Sequence, residues 1–513
     1  MAPIMGETAY LFRHALLRDA AYQLQLPGER ARLHLLAIAI IEALYGGRPP
    51  MPPPLDADVV SNFVVHEIDA VAAELADHAL LAAQHAASHD ESVAELQRLY
   101  TWRAAEHAQR NDEIAQAMRL WNASASLLAG AQRGEALRRS SWAAQLAGRT
   151  QIAEPMLVEA LALFREVANK RLECLALCNL AKLYRETGRI NIAETGLEDA
   201  KRALHDVESW HAAAQMHFQM ALLFQETGRM QQAEQNFHES LAWTRKGKDP
   251  RAEGMTLGSL AGLYYETGRY EEAEQLHEEA LALHRACGNR RSECIELENL
   301  AALYQVTGRA ARAMAVHDQA LELARQTGNR MTESYVAGNR ANLLMDQGQL
   351  AEAEDSYRKA HAIAVETGNR NLAAHWLGSL AGLLEEMGSE LQAEQAFMEA
   401  LMMLRELRNR KLEGVMLGNL AVLLGKTGRR EQAELSFEQA VAIHRETGNR
   451  RFEGVHECSW AKVQMARDVE GARARWSKGA NILKQLNDAG TLAIVTRAMR
   501  DACAKAGVRP FDE

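Results

Sequence analysis

The sequence predicts an all-α solenoid, a stack of helical hairpins, and three observations predict it. Glycine falls at Gly148, Gly188, Gly228, Gly268, Gly308, Gly348, Gly388 and Gly428, a spacing of forty residues without slippage. A fixed period of about this length is the signature of stacked supersecondary units. Around each glycine the text repeats a helix, a tight turn and a second helix, as in residues 259–288. The composition agrees: of 513 residues 48% are apolar, only 6% are aromatic and ten are proline, a helix former's balance.

The same numbers exclude several functions. Net charge is −10, with acids and bases interspersed, which disfavours a nucleic-acid partner, because that needs a concentrated basic face. No apolar run reaches the roughly 18 residues that a membrane helix requires, and the first residues lack a basic-then-apolar signal pattern. A cytoplasmic protein is expected. The six cysteines are too few and scattered for a disulfide framework. Cys174 and Cys294 share a slot with Gly254, Ser334 and Gly414, where a small residue lets helices approach closely.

Residues 1–45 have no forty-residue counterpart in the chain and read as short helices broken at Pro27-Gly28. The run FRHALLRDAAY, followed by RARLH and an amphipathic helix, resembles the end of the winged-helix region of STAND-type signalling NTPases. That resemblance covers about thirty-five residues. It implies a nucleotide-binding module upstream of a helical repeat tail, and so either a truncated or separately encoded tail or a module supplied by another chain. No phosphate loop is present in this sequence: Gly425-Lys426-Thr427 lacks the leading glycine, which would stand at Leu420.

Residues 46–58 hold five of the ten prolines and read as a linker. Residues 59–133 read as irregular helices, a divergent start to the array. Within them His78, His85 and His89 stand seven and four residues apart and could share a helix face. A metal-dependent activity in 59–147 is therefore a minor alternative; the plain reading is a solvated face.

Residues 134–460 form about eight units. Before five of the eight glycines comes Leu-Ala, as at Leu260-Ala261 and Leu300-Ala301; after the glycine come alanines at Ala273 and Ala280 and their equivalents. With Tyr264, Gly268 and Tyr270 these residues fall at the spacings of the tetratricopeptide repeat, which the array resembles. The forty-residue unit is similar to the longer repeats of kinesin light chain. The resemblance implies a right-handed superhelix with a concave groove, and no catalytic role. Between units, Gly-Asn-Arg recurs (Gly288, Asn289, Arg290 and equivalents): glycine closes one helix and asparagine caps the next. Arginines in the turns, from Arg189 to Arg429, read as a second contact stripe or as surface charge. His277 and His317 read as packing substitutes for the aromatic residues of that slot.

A polar ladder precedes the glycines: Asn179, Gln219, Ser259, Asn299, Asn339, Ser379 and Asn419. In tetratricopeptide domains an asparagine here bonds the backbone of an extended peptide. The resemblance thus makes Asn179, Ser259, Asn299, Asn339, Ser379 and Asn419 contacts in the groove, with Asn342 three residues further on. Glu266 and Glu386 belong to an acidic series at the helix ends. If that series lines the groove, the partner is neutral to basic there. Mid-helix glycines such as Gly338, Gly378, Gly382 and Gly418 either leave room for a ligand backbone or an inserted helix, or serve a tight superhelical curvature. No catalytic pair, metal set or cofactor box is found.

Residues 461–513 read as closing helices anchored by Trp476 and Ile482, with a loose tail. The functional expectation is a non-enzymatic scaffold, without cofactor, that binds a protein or peptide, with a STAND-type regulatory tail as its finer form. A self-associating solenoid with its groove filled by its own N-terminal segment is the alternative.

Overall fold

The computed structural model describes residues 22–57, 63–85, 90–111, 113–486 and 488–512. Among them there is no strand, and the fold is an all-α repeat. No described helix is long and apolar enough to cross a membrane. Residues 12–21, most of the winged-helix-like run, lie outside the described residues, as does His89. The chain divides into two compact units, Met1–Leu263 and Tyr264–Glu513.

The first unit begins with α1 (Pro27–Leu44), a short 3-10 turn (Glu67–Val71), α2 (Ala72–His85), α3 (Glu91–Arg110) and α4 (Ile114–Ser126). Helices then follow a forty-residue register: α5 (Gly130–Leu146), α6 (Thr150–Glu166), α7 (Lys170–Glu186), α8 (Ile190–Ala203), α9 (Trp210–Glu226), α10 (Met230–Gly247) and α11 (Pro250–Glu266). The register therefore starts at Gly130, four residues before the point the repeating text suggests.

The proline-rich residues 46–57 are tied to the helices. Arg103 is buried and paired with buried Asp69 at 2.6 Å; it also donates to the carbonyl oxygens of Pro50 (3.3 Å) and Val64 (3.0 Å). Arg171 donates to those of Asp56 (2.9 Å) and Ala57 (2.7 Å). Pro49, Pro52 and Leu55 are buried. Backbone outside helices leaves carbonyls unused, and arginine forks take them. We call this segment the strap.

The second unit holds α12 (Tyr270–Ala286), α13 (Arg290–Val306), α14 (Ala310–Gln326), α15 (Arg330–Asp346), α16 (Leu350–Glu366), α17 (Arg370–Glu386), α18 (Glu390–Glu406), α19 (Arg410–Lys426), α20 (Arg430–Glu446), α21 (Arg450–Gln464), α22 (Val469–Gln485) and α23 (Ala489–Ala506). Trp476 and Ile482 are buried. The tail is not loose: Phe511 packs against Met499 and Cys503, and Arg500 grips Asp512.

Three devices repeat in both units. Asparagine side chains at Asn169, Asn289, Asn329, Asn369 and Asn409 cap the following helix. The glutamate four residues after Asn169, Asn289, Asn329, Asn409 and Asn449 is more than a helix-start charge. Glu173, Glu293, Glu333, Glu413 and Glu453 are buried, each clamped by two cations, as Glu293 is by Arg285 and Arg290 at 2.9 Å each. The turn arginines are staples between repeats. Arg189, Arg229, Arg309 and Arg429 reach Glu154, Glu194, Glu274 and Glu394, thirty-five residues earlier, at 2.7–2.8 Å. Three of them lie over Tyr184, Phe224 and Tyr304.

Glycine terminates helices in left-handed backbone, φ 63–69° at Gly288, Gly328, Gly368 and Gly448. At the same slot Ala168, Lys248 and Arg408 take φ 52–53°. Left-handed backbone disfavours a residue with a Cβ by about 1 kcal/mol. Lys248→Gly and Arg408→Gly are therefore each expected to stabilise the protein by roughly 0.5–1 kcal/mol in urea unfolding.

Candidate functional site

In the first unit one face of α3, α5, α7, α9 and α11 surrounds a cavity of about 630 Å³, and the strap closes one side of it. The helical period sets which residues appear: along α7 they are Arg171, Leu175, Asn179, Lys182 and Arg185, and along α9 His211, Gln215, Gln219 and Leu222. From the strap come Pro52, Pro53, Pro54, Leu55 and Ala57.

The wall is mixed in chemistry. Trp102, Trp142 and Phe218 supply apolar surface. Arg138 and Arg139 both bond Glu135, at 2.7 Å and 3.0 Å, and Arg139 also reaches Glu106 at 2.8 Å. Burial alone would raise the Glu135 carboxyl, but the two guanidiniums bring it down to about 2. Burial, helped by the positive Arg138, lowers the pKa of His211. Gln219 is 4% exposed, and its Oε1 has no hydrogen-bond partner within the chain; the same holds for Gln145 Oε1 and Arg185 Nε. A buried polar atom without a partner is a costly feature, seen where something else supplies the bond.

Of the sequence-predicted contacts, Asn179 lines this cavity. Ser259, half-buried, returns its hydroxyl to the Met255 carbonyl at 3.1 Å. Glu266 is exposed at the end of α11. In the second unit the ladder is largely engaged within the stack. Asn339 donates to Glu298 at 2.7 Å, Asn342 accepts from the Tyr357 hydroxyl, and Asn419 lies 3.4 Å from His456 Nε2. Asn299 and Ser379 are half-buried, and Glu386 is exposed. His277 and His317 do more than fill space: they are buried and bonded to Glu296 (2.7 Å) and Glu298 (3.0 Å).

A second cavity, of about 440 Å³, lies among α14, α15 and α16. Its charges are paired: Arg325 and Arg330 hold Glu333, and Arg340 meets Asp318. His78 Nδ1 lies 2.9 Å from His34 Nδ1, a neighbour the sequence does not suggest, while His85 packs edge-on to Tyr22. Among the described residues no group of three or more His, Cys, Asp or Glu side chains is placed to hold a metal ion. The described cysteines are unbridged.

Sequence reasoning missed Gln145, Arg171 and Arg185 and weighed Gln219 only as a ladder member. The available signal was the cations at 138, 139, 171, 182 and 185, crowded onto the first helices of consecutive repeats in an acidic chain.

No match to a curated protein was found. Among solved structures, the chain is similar to a STAND protein with a tetratricopeptide-repeat sensor from Pyrococcus horikoshii. The identity is 16%, with 78% of this chain and 67% of that one covered and a TM-score of 0.47. It is similar to the apo quorum sensor NprR from B. thuringiensis at 14% identity, with 67% and 97% covered and a TM-score of 0.46. It is also similar to a kinesin light chain protein with nearly identical repeats from Podosopora anserina, at 21% identity, with 37% and 95% covered and a TM-score of 0.33. A family model described as tetratricopeptide repeat matches residues 212–286 and 331–406, and a second of the same description matches 415–447. The matched stretches are helix pairs described above, and those stretches are tetratricopeptide repeats.

Proposed function

We propose that the protein is a binding scaffold whose first-unit groove captures an extended peptide segment of a partner protein. The observation that carries this reading is the buried Gln219 carboxamide, whose oxygen has no partner, on the wall of a cavity that the chain's own strap closes. Arg171 holds that strap by its carbonyls, at 2.9 and 2.7 Å. A groove that grips main chain in this way suits a second strand of main chain. Asn179, beside it, is the ladder residue best placed to add a contact. The resemblance of residues 10–44 to the STAND winged-helix end supports the finer reading, in which the groove serves as the sensor tail of a STAND-type signalling system.

The test is selection of peptides from a displayed random library on the immobilised protein. Gln219→Leu, combined with Asn179→Ala, is expected to weaken the selected peptides about tenfold or more, because lost hydrogen bonds of this kind are each worth about 1 kcal/mol. The melting temperature should stay unchanged, since the Gln219 oxygen bonds nothing in the fold. Unaltered affinity would refute the assignment.

The strap also favours a second reading, in which the groove is filled in cis. If so, peptides are selected only after residues 49–57 are replaced by a Gly/Ser linker, and the parent selects none.

A further inference from the structure

Resting on the groove reading above, we propose that the cavity of the first unit is a composite site, one wall of which is the strap, and that it takes an extended segment rich in aspartate and glutamate. Cations dominate its wall. Arg110, Arg138 and Arg139 face Glu106 and Glu135, and the rest of the wall adds Arg171, Lys182, Arg185 and Arg251. Two of these reach carboxylates at the rim: Lys182 comes within 3.8 Å of Glu186, and Arg185 grips Glu226. Leaving Arg171 aside and counting those exposed partners, six cations stand against four carboxylates. The chain as a whole carries −10, so this concentration runs against its own balance. Of the acidic series at the helix ends, Glu186 and Glu226 meet this wall at its rim, and they do not offset its cations.

The strap meets Arg171 and Arg103 with carbonyl oxygens. Nor can Pro52, Pro53 or Pro54 donate, since proline has no N–H. Gln145 Oε1 and Gln219 Oε1 are acceptors, and both are unmet. The missing occupant must therefore bring N–H donors at its main chain and negative charge at its side chains. An acidic, proline-poor peptide brings both. A nucleic-acid backbone brings the charge, but its phosphates have no donor for the two carboxamides.

The experiment uses the full chain and three pools of short, fluorescein-labelled randomised peptides of acidic, neutral and basic composition, with an oligothymidylate as a fourth probe. Fluorescence anisotropy at low and high salt reads binding. The acidic pool is expected to bind about tenfold tighter than the neutral one, and to weaken as salt rises. Lys182→Glu with Arg251→Glu, both on accessible parts of the wall, should remove that preference without changing the melting temperature. Equal or tighter binding of the neutral or basic pool overturns the acidic inference and leaves the peptide-groove reading standing. Preferential binding of the oligothymidylate overturns the inference in favour of nucleic acid. If no probe binds, the groove reading falls as well.

Discussion

Gly338→Ala is expected to destabilise the second unit by about 1–3 kcal/mol, although alanine is the better helix former by about 1 kcal/mol. A Cβ at Gly338 would stand 2.4 Å from the ring of Trp376, which is 1% exposed and wedged between Tyr335 and Tyr357. The ring has nowhere to go. The same notch recurs one repeat on, where Met416 fills Gly378, and again where His456 fills Gly418. Gly382, on the same helix as Gly378, meets nothing within 4 Å. Gly382→Ala should therefore stabilise by roughly 0.5–1 kcal/mol. Urea unfolding followed by circular dichroism separates the two. The glycines at 338, 378 and 418 are thus notches for the next repeat, while those at 262 and 382 are open. If Gly338→Ala proved neutral, the knob-and-notch account of repeat stacking would be wrong.

Acid is expected to loosen the C-terminal repeats through two histidines. His444 Nε2 and His456 Nδ1 lie 2.9 Å apart, both buried, with Phe452 against them. Burial pushes His444 down to about 4, and burial together with the neighbouring His444 pushes His456 down to about 3. Both are neutral when folded, whereas the unfolded chain begins to protonate them near pH 6.5. The folded pKa values are depressed cationic ones, so stability is full above about pH 6.5 and drains away as pH falls from there toward 4. Glu453 opposes the shift at His444 but does not cancel it. His444→Leu with His456→Met copies Leu404 and Met416 of the preceding repeat. That variant should hold a nearly constant melting temperature between pH 7 and 5, where the parent loses several degrees. Parallel pH profiles would remove the histidines from the explanation.

What could be read in the sequence divides by range. The period, the hairpins, the glycine stops and the asparagine caps are local, and a cap at Asn289 needs only residues 289–292. The staple from Arg309 to Glu274 and the wedge of Trp376 into Gly338 span thirty-five and thirty-eight residues. Their partners repeat in plain view, but only the stacking of one hairpin on the next says that they meet. The same limit explains the ladder. An asparagine at 339 looks available on its own helix, and it is Glu298, forty-one residues earlier, that occupies it. The strap reads as a linker because proline-rich text carries no pattern of burial; its fastening by Arg103 and Arg171 depends on helices far along the chain. The cavity's basic wall was legible as composition, yet it was masked by a more regular acidic series, which reaches the cavity only at its rim, through Glu186 and Glu226.

The central claim is that an extended peptide enters the first-unit groove. A photocrosslinking residue placed at Leu222, in the cavity wall, tests it against the equivalent slot at Ala302, which is exposed in the second unit. Irradiation with a library-selected peptide should join peptide to protein at position 222 and not at position 302. Crosslinks at 302 with none at 222 would place the binding surface elsewhere and contradict the account.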